Sequence, residues 1–115
     1  MAETNHGPSV VVCDAGPLIH LDELACLDLL ADFQDVLVPD QVWREVQRHR
    51  PSALDQSVVT LRMVLPTQPL PPMLEAMTRL LALHTGEMEA LRVALEHPSA
   101  LLLTDDTAAR LAARN

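Results

Sequence analysis

Acidic residues directly follow two short apolar runs of this chain. Asp14 follows residues 10–13, and Asp105 and Asp106 follow residues 100–103 across a single threonine. If the two runs are parallel neighbouring strands, these carboxylates lie together beyond the carboxyl ends of the strands, where α/β sheets place their sites. The spacing therefore predicts an acidic site at one edge of a sheet.

Two further acids lie in helical segments. Glu45 lies in the helix after the second predicted strand, and Glu87 opens the helix that starts at Thr85 and Gly86. Four carboxylates from distant segments could converge, and they would repel one another unless a cation lay between them. Oxygen-only ligands suit Mg²⁺ or Mn²⁺ rather than zinc. Such ions can promote in-line cleavage of a phosphodiester.

Each acid taken alone has a simpler explanation. An Asp or Glu after a strand or at a helix N-terminus often only caps the helix and complements its dipole. His20 and His84 lie close to these acids in the sequence, yet isolated histidines are typical of helix surfaces and caps. Only the joint placement of the acids favours a metal site.

Alternating strands and helices are the elements that must position the acids. Apolar runs predict strands at residues 10–13, 36–38, 59–65 and 100–103. Helical spacing predicts helices at residues 18–31, 41–50, 73–83, 86–96 and 107–115. Asp40 and Thr85 are the predicted N-caps of the second and fourth helices. This order implies βαβ units and a mainly parallel sheet, and hence an α/β fold.

A proline-rich segment in the middle of the chain is predicted to be a connection inside one domain and not a domain boundary. Residues 66–72 contain four prolines and predict a stiff, irregular segment, on neither side of which a core could form alone. We expect a flexible N-terminus at residues 1–8 and a single domain at residues 9–115. The Met and Leu side chains at positions 73, 74, 77, 80 and 81 fit the core or an oligomer face, and we expect a homodimer.

The composition predicts a soluble, cytoplasmic protein. The chain has 115 residues, of which 49% are apolar and 2% aromatic, enough for one core of aliphatic side chains. No apolar stretch approaches the length of a membrane span, and residues 1–8 lack the apolar region of a signal peptide. Cys13 and Cys26 are expected to be buried, reduced thiols.

The net charge of −8 restricts the partners. An acidic protein is a poor electrostatic match for a polyanion, so either the acids hold divalent cations or the partner is not a nucleic acid. Arg44, Arg48, His49 and Arg50 form a basic cluster beside Glu45. The cluster either contacts RNA phosphates or is a solvated helix end that complements the dipole.

Four segments together resemble the PIN-domain ribonuclease family. The first is VVCDAGPLIHL at residues 11–21, an opening strand and turn, and the second is VPDQVWREV at residues 38–46. The third, LHTGEMEAL at residues 83–91, is similar to the Gly-Glu-x-Glu-Ala motif of the VapC-like toxin branch. The fourth is LLTDDTAARLA at residues 102–112. The resemblance covers residues 9 to about 114, with the four motifs in the family's order.

The resemblance implies an α/β/α sandwich with a mainly parallel central sheet and Mg²⁺- or Mn²⁺-dependent cleavage of RNA. Many relatives are toxins of bacterial toxin–antitoxin pairs, which a small antitoxin protein binds and silences. Asp14, Glu45, Glu87 and Asp106 match the acidic positions of the family.

Three neighbouring positions remain candidates under the same resemblance. Asp105 is the alternative to Asp106 as the last acid, and Glu89 is a weaker alternative for the third. Thr104 matches a polar position that usually orients a ligand or a water molecule.

The chain departs from the family pattern in two respects. Relatives usually continue with another strand, whereas this sequence stops at Asn115, which implies an exposed sheet edge, a truncated chain or completion by a partner. The third acid is a Glu where many members have Asp, which changes the reach of the side chain but not its charge.

Two other classes of protein compete with the ribonuclease. A catalytically silent binding module on the same scaffold is consistent with the acidic charge and the short C-terminus. A receiver-like domain would also carry acids at strand ends. It would need a lysine after a late strand, and the chain has no lysine.

Overall fold

Four parallel strands form one sheet within residues 9–104, which are the residues that the computed structural model describes. The strands are β1 (Val10–Cys13), β2 (Asp35–Pro39), β3 (Leu61–Val64) and β4 (Leu101–Leu103). Their order in the sheet is β3-β2-β1-β4, and each neighbouring pair is parallel. The predicted parallel sheet is confirmed, with β1 between β2 and β4.

Helices follow the strands and cover the sheet. The four α-helices of residues 9–104 are α1 (Ala15–Glu23), α2 (Asp40–His49), α3 (Pro72–Leu80) and α4 (Thr85–Glu96). Two short 3₁₀ helices lie at Leu27–Asp32 and Pro51–Ala53. Of the segment predicted to be irregular, residues 66–71 contain no helix or strand, whereas Pro72 is the first residue of α3.

The central strands are buried on both faces, because α1 and α2 cover one face and α4 the other. Val11 and Cys13 pack with Leu18, Val42 and Val46 in one cluster. The alternate β1 residue, Val12, packs on the opposite face with Leu37, Ala90 and Val93. A strand buried on both sides reads as a continuous apolar run, which explains the sequence of β1. The fold is therefore a PIN-like α/β/α sandwich, as expected.

The first helix is shorter than predicted. Instead of continuing to residue 31, α1 ends at Glu23, and Ala25 adopts a left-handed conformation with φ of 56°. The amide of Ala25 donates to the Asp22 carbonyl at 3.0 Å and that of Cys26 to the Leu21 carbonyl at 2.7 Å. These two bonds form a Schellman motif, which usually has glycine at the left-handed position. Because alanine gives no such signal, the helical spacing alone misses the end of the helix.

The helix α3 leaves apolar side chains exposed. Met73 is 78% and Leu80 86% exposed, so neither belongs to the core. Residues 74, 77 and 81 are half-buried. No helix in the described part of the chain has both the length and the apolar character needed to cross a membrane. The predictions for residues 1–8 and 105–115, including the last helix, lie outside the described residues.

Candidate active site

The first acid of the site is fixed by the junction of two strands. Cys13 and Leu103 are partners in the parallel register of β1 and β4, so Asp14 and Thr104 emerge side by side beyond the sheet. The amide of Asp14 donates to the Leu103 carbonyl at 2.9 Å. The Thr104 hydroxyl donates to Oδ2 of Asp14 at 3.2 Å. Thr104 therefore orients the carboxylate of Asp14.

Asp14 also begins the helix that follows it. Its Oδ1 accepts a hydrogen bond from the amide of Ala15 at 2.8 Å, at the N-terminus of α1. The side chain is only 5% exposed, and a buried carboxylate at a helix N-terminus is stabilised by the helix dipole. Asp14 therefore caps α1 and at the same time lies at the sheet edge where the sequence predicted the acidic site.

Glu45 and Glu87 reach the same region from two other helices. Glu45 lies in the middle of α2, which starts directly after β2, and its side chain is half-buried. Glu87 lies in the first turn of α4, where its Oε1 accepts a hydrogen bond from the amide of His84 at 2.7 Å. His84 rather than the predicted Thr85 is the N-cap residue of α4.

These acids line one open cleft of about 500 Å³. The acidic residues of its lining are Asp14, Glu45 and Glu87, and the basic ones are Arg48, His49 and His84. Four other residues complete it: Gly16, Gln41, Thr85 and Gly86. The helices α2 and α4 are close at this point, since a β-carbon at Gly86 would lie 3.3 Å from Oε1 of Glu45. The sequence placed His49 and His84 near the acids without assigning them to the site, and it gave no signal for Gln41 as part of the lining.

The donor atoms of the cleft fit a hard divalent cation. Within residues 9–104, no group of three or more His, Cys, Asp or Glu side chains is close enough to hold an ion by itself. Mg²⁺, however, commonly binds through one or two carboxylates and keeps several of its water molecules. The oxygen-only acids of this open cleft satisfy that requirement.

Glu89, unlike Glu87, contacts the start of α2 and does not line the cleft. Its Oε1 accepts a hydrogen bond from the amide of Gln41 at 3.2 Å, joining α4 to the start of α2. Burial, and then the neighbouring Asp40, raise the pKa of Glu89. Asp40 was predicted to cap α2, but it is the first helical residue and is buried, and its Oδ1 has no hydrogen-bond partner in the described structure. The cleft is lined by Glu87 and not by Glu89.

The predicted basic cluster is divided by the fold. Arg48 lines the cleft. The other two arginines form ion pairs elsewhere: Nη2 of Arg44 lies 3.8 Å from Oδ2 of Asp40, and Nε of Arg50 lies 2.7 Å from Oδ2 of Asp22. The last predicted acids of the site, at positions 105 and 106, lie outside the described residues, directly after Thr104.

The fold and the acidic cleft define an α/β/α protein with carboxylates beyond the carboxyl ends of parallel strands. A family model described as PIN domain matches residues 10–115. The chain therefore belongs to the PIN-domain family, whose members are generally nucleases that typically use divalent metals. No curated protein and no solved structure matches the chain.

Proposed function

We propose that this protein is an endoribonuclease that depends on Mg²⁺ or Mn²⁺ and hydrolyses RNA phosphodiester bonds. One observation carries the proposal: Asp14, Glu45 and Glu87, from three separate elements of a PIN fold, line one open cleft. An open cleft suits a polymeric substrate, and clustered carboxylates in a nuclease family suit metal-assisted hydrolysis.

The residues that would hold the cation, directly or through its water molecules, are Asp14, Glu45 and Glu87, with Asp106 or Asp105 as the fourth acid. When bound, the cation would activate water and stabilise the attacking and leaving oxygens of the phosphodiester, so no side-chain nucleophile is required. The protein itself has to hold these carboxylates in position. Thr104 fixes Oδ2 of Asp14, and the amide of His84 fixes Oε1 of Glu87.

We further propose the biological setting that the family resemblance implies. The chain would act in the cytoplasm as the toxin of a type II toxin–antitoxin pair, in the VapC-like branch, with a small antitoxin protein as its partner and a homodimer as its active form. The Gly-Glu-Met-Glu-Ala sequence at residues 86–90 supports this assignment. Expression of the wild-type chain alone should arrest growth, and co-expression of a small neighbouring reading frame should relieve the arrest.

Asp14→Asn provides the central test. Asparagine keeps a side-chain oxygen that can cap Ala15, so the fold should survive while the carboxylate charge is lost. We expect cleavage of RNA in Mn²⁺ to fall below detection, growth arrest to disappear, and the thermal midpoint to stay near that of the wild type. Asp28→Asn is the control, because Asp28 is exposed and does not line the cleft; it should cleave like the wild type.

Two outcomes would refute the ribonuclease. Wild-type protein that neither cleaves RNA nor binds Mn²⁺ in calorimetry would do so, as would an Asp14→Asn variant with full activity. The first result would favour the alternative function, a catalytically silent PIN scaffold that binds another protein, whereas the second would mean that the cleavage does not depend on the carboxylate of this cleft. The net charge of −8 favours that alternative, because it opposes binding of a polyanion.

A further inference from the structure

Arginines supply all the permanent positive side chains of this protein, because its sequence contains no lysine. Six arginines lie within the described residues, and five of them are engaged by a carboxylate or a backbone carbonyl. The five are Arg44, Arg50, Arg62, Arg79 and Arg92. In the described part of the chain, Arg48 alone makes neither an ion pair nor a hydrogen bond. It is also the arginine that lines the acidic cleft.

The position of Arg48 on α2 places it beside the acids. Glu45 and Arg48 are three residues apart, so both project from the same side of the helix, about one turn from each other. Both line the cleft, yet they form no ion pair with each other within the described structure. Arg48 is an exposed residue, so its side chain is available to a ligand.

The cleft needs a cation at this place if an RNA strand is to enter it. Three carboxylates repel a phosphodiester, whereas a guanidinium group can bind a phosphate through two parallel hydrogen bonds. A competing explanation is that Arg48 merely complements the C-terminal end of the α2 dipole. That explanation predicts that replacing Arg48 lowers the free energy of unfolding and leaves the affinity for RNA unchanged.

We infer that Arg48 is the phosphate-binding residue of the cleft and holds the RNA strand at a phosphate next to the bond that is cleaved. The inference rests on the proposed ribonuclease function. A contact to phosphate carries no base information, so Arg48 contributes equally to every RNA sequence. The other arginines of the predicted cluster, Arg44 and Arg50, serve the fold through Asp40 and Asp22.

Fluorescence anisotropy with a short, labelled single-stranded RNA tests this contact, with Ca²⁺ in place of Mg²⁺ to suppress cleavage. We expect Arg48→Ala to raise Kd about tenfold for both oligoadenylate and oligouridylate. The slope of log affinity against log salt should fall by about 0.7, which is the loss of one phosphate contact on a single strand. Arg48→Lys should restore the salt slope, since it keeps the charge, but not the full affinity.

Arg44→Ala is the matched control, because Arg44 lies one turn earlier on the same helix and does not line the cleft. It should bind RNA like the wild type. In cleavage assays with Mn²⁺, Arg48→Ala should raise KM more than it lowers kcat, as expected for a group that binds substrate rather than reacts.

The inference is overturned if Arg48→Ala binds RNA with the affinity and salt slope of the wild type, or if the wild type binds no RNA in Ca²⁺. Failure of the proposed ribonuclease gives a different result, namely RNA binding that depends on Arg48 but no cleavage in Mn²⁺.

Discussion

Gly86 of α4 lies against the carboxylate of Glu45 on α2, so closely that a β-carbon at position 86 would lie 3.3 Å from Oε1 of Glu45. The close approach brings the helices that carry Glu45 and Glu87 together at the cleft. A side chain at position 86 would therefore displace the carboxylate of Glu45 by a few tenths of an ångström, although the backbone angle of Gly86 would accept one.

Gly86→Ala should therefore separate stability from function. Alanine is the better helix former by up to about 1 kcal/mol, so the thermal midpoint should not fall. The carboxylate of Glu45, however, has to move by about a few tenths of an ångström, which should weaken Mn²⁺ binding and slow cleavage. Calorimetric titration with Mn²⁺ measures the first effect. An unchanged Mn²⁺ affinity would mean that the position of Glu45 is not limited by Gly86.

Two substitutions of Glu89 should change the free energy of unfolding in opposite directions. Glu89→Gln keeps an oxygen for the amide of Gln41 and adds an N–H that can donate to the neighbouring carboxylate of Asp40, so the free energy of unfolding should rise near neutral pH. Glu89→Ala loses the hydrogen bond to Gln41 and should lower it by about 1 kcal/mol.

The pH dependence of the Glu89→Gln effect follows from the raised pKa of Glu89. The folded state favours the neutral carboxyl, so its contribution is complete below the unfolded pKa of 4.5 and is lost as pH rises through the folded pKa. The advantage of the Gln variant should thus be larger at about pH 8 than at about pH 5, measured by urea unfolding. An advantage independent of pH would contradict this account.

Cys13 should make the protein sensitive to alkali. Its thiol is completely buried, and burial followed by the charge of Asp14 raises its pKa from 9.0 to about 12. Because the unfolded thiol ionises first, the free energy of unfolding should fall between pH 9.0 and about 12, by up to about 1.4 kcal/mol per pH unit. The chain has no lysine or tyrosine to obscure the effect.

Urea unfolding in EDTA measures this alkaline slope. Cys13→Ala should abolish most of it, whereas Cys26→Ser, which changes the other thiol, should retain it. If the wild type, Cys13→Ala and Cys26→Ser all lose stability in parallel as the pH rises, the alkaline loss of stability does not come from the Cys13 thiol.

The two left-handed alanines should be sites of stabilisation. Ala25 and Ala82 have φ of 56° and 54° after α1 and α3, a conformation that costs L-residues about 1–2 kcal/mol. Ala25→Gly and Ala82→Gly should each raise the free energy of unfolding by about 0.5–1 kcal/mol, once the greater freedom of unfolded glycine is deducted. Ala76→Gly, at an exposed position inside α3, should instead lower it by about 1 kcal/mol. If all three glycine variants lose stability equally, the left-handed conformation of Ala25 and Ala82 costs a negligible free energy.

Local signals in the sequence were sufficient for the strands, the parallel sheet and the positions of Asp14, Glu45 and Glu87 on their elements. The buried run of β1 and the acid that follows it are adjacent in the chain, so their relation needs no long-range information. The helical spacing placed Glu45 and Glu87 correctly on α2 and α4. It failed at Ala25, because a helix end formed by backbone hydrogen bonds does not require a glycine.

Only the tertiary structure decided which side chains meet. The parallel register of Cys13 with Leu103 brings Thr104 to Asp14 across 90 positions of sequence, and no local pattern encodes that register. Likewise, Arg44, Arg48 and Arg50 are equivalent cations in the sequence. Arg44 pairs with Asp40 one turn earlier on α2, and Arg50, at the end of the helix, pairs with Asp22, which leaves Arg48 at the cleft.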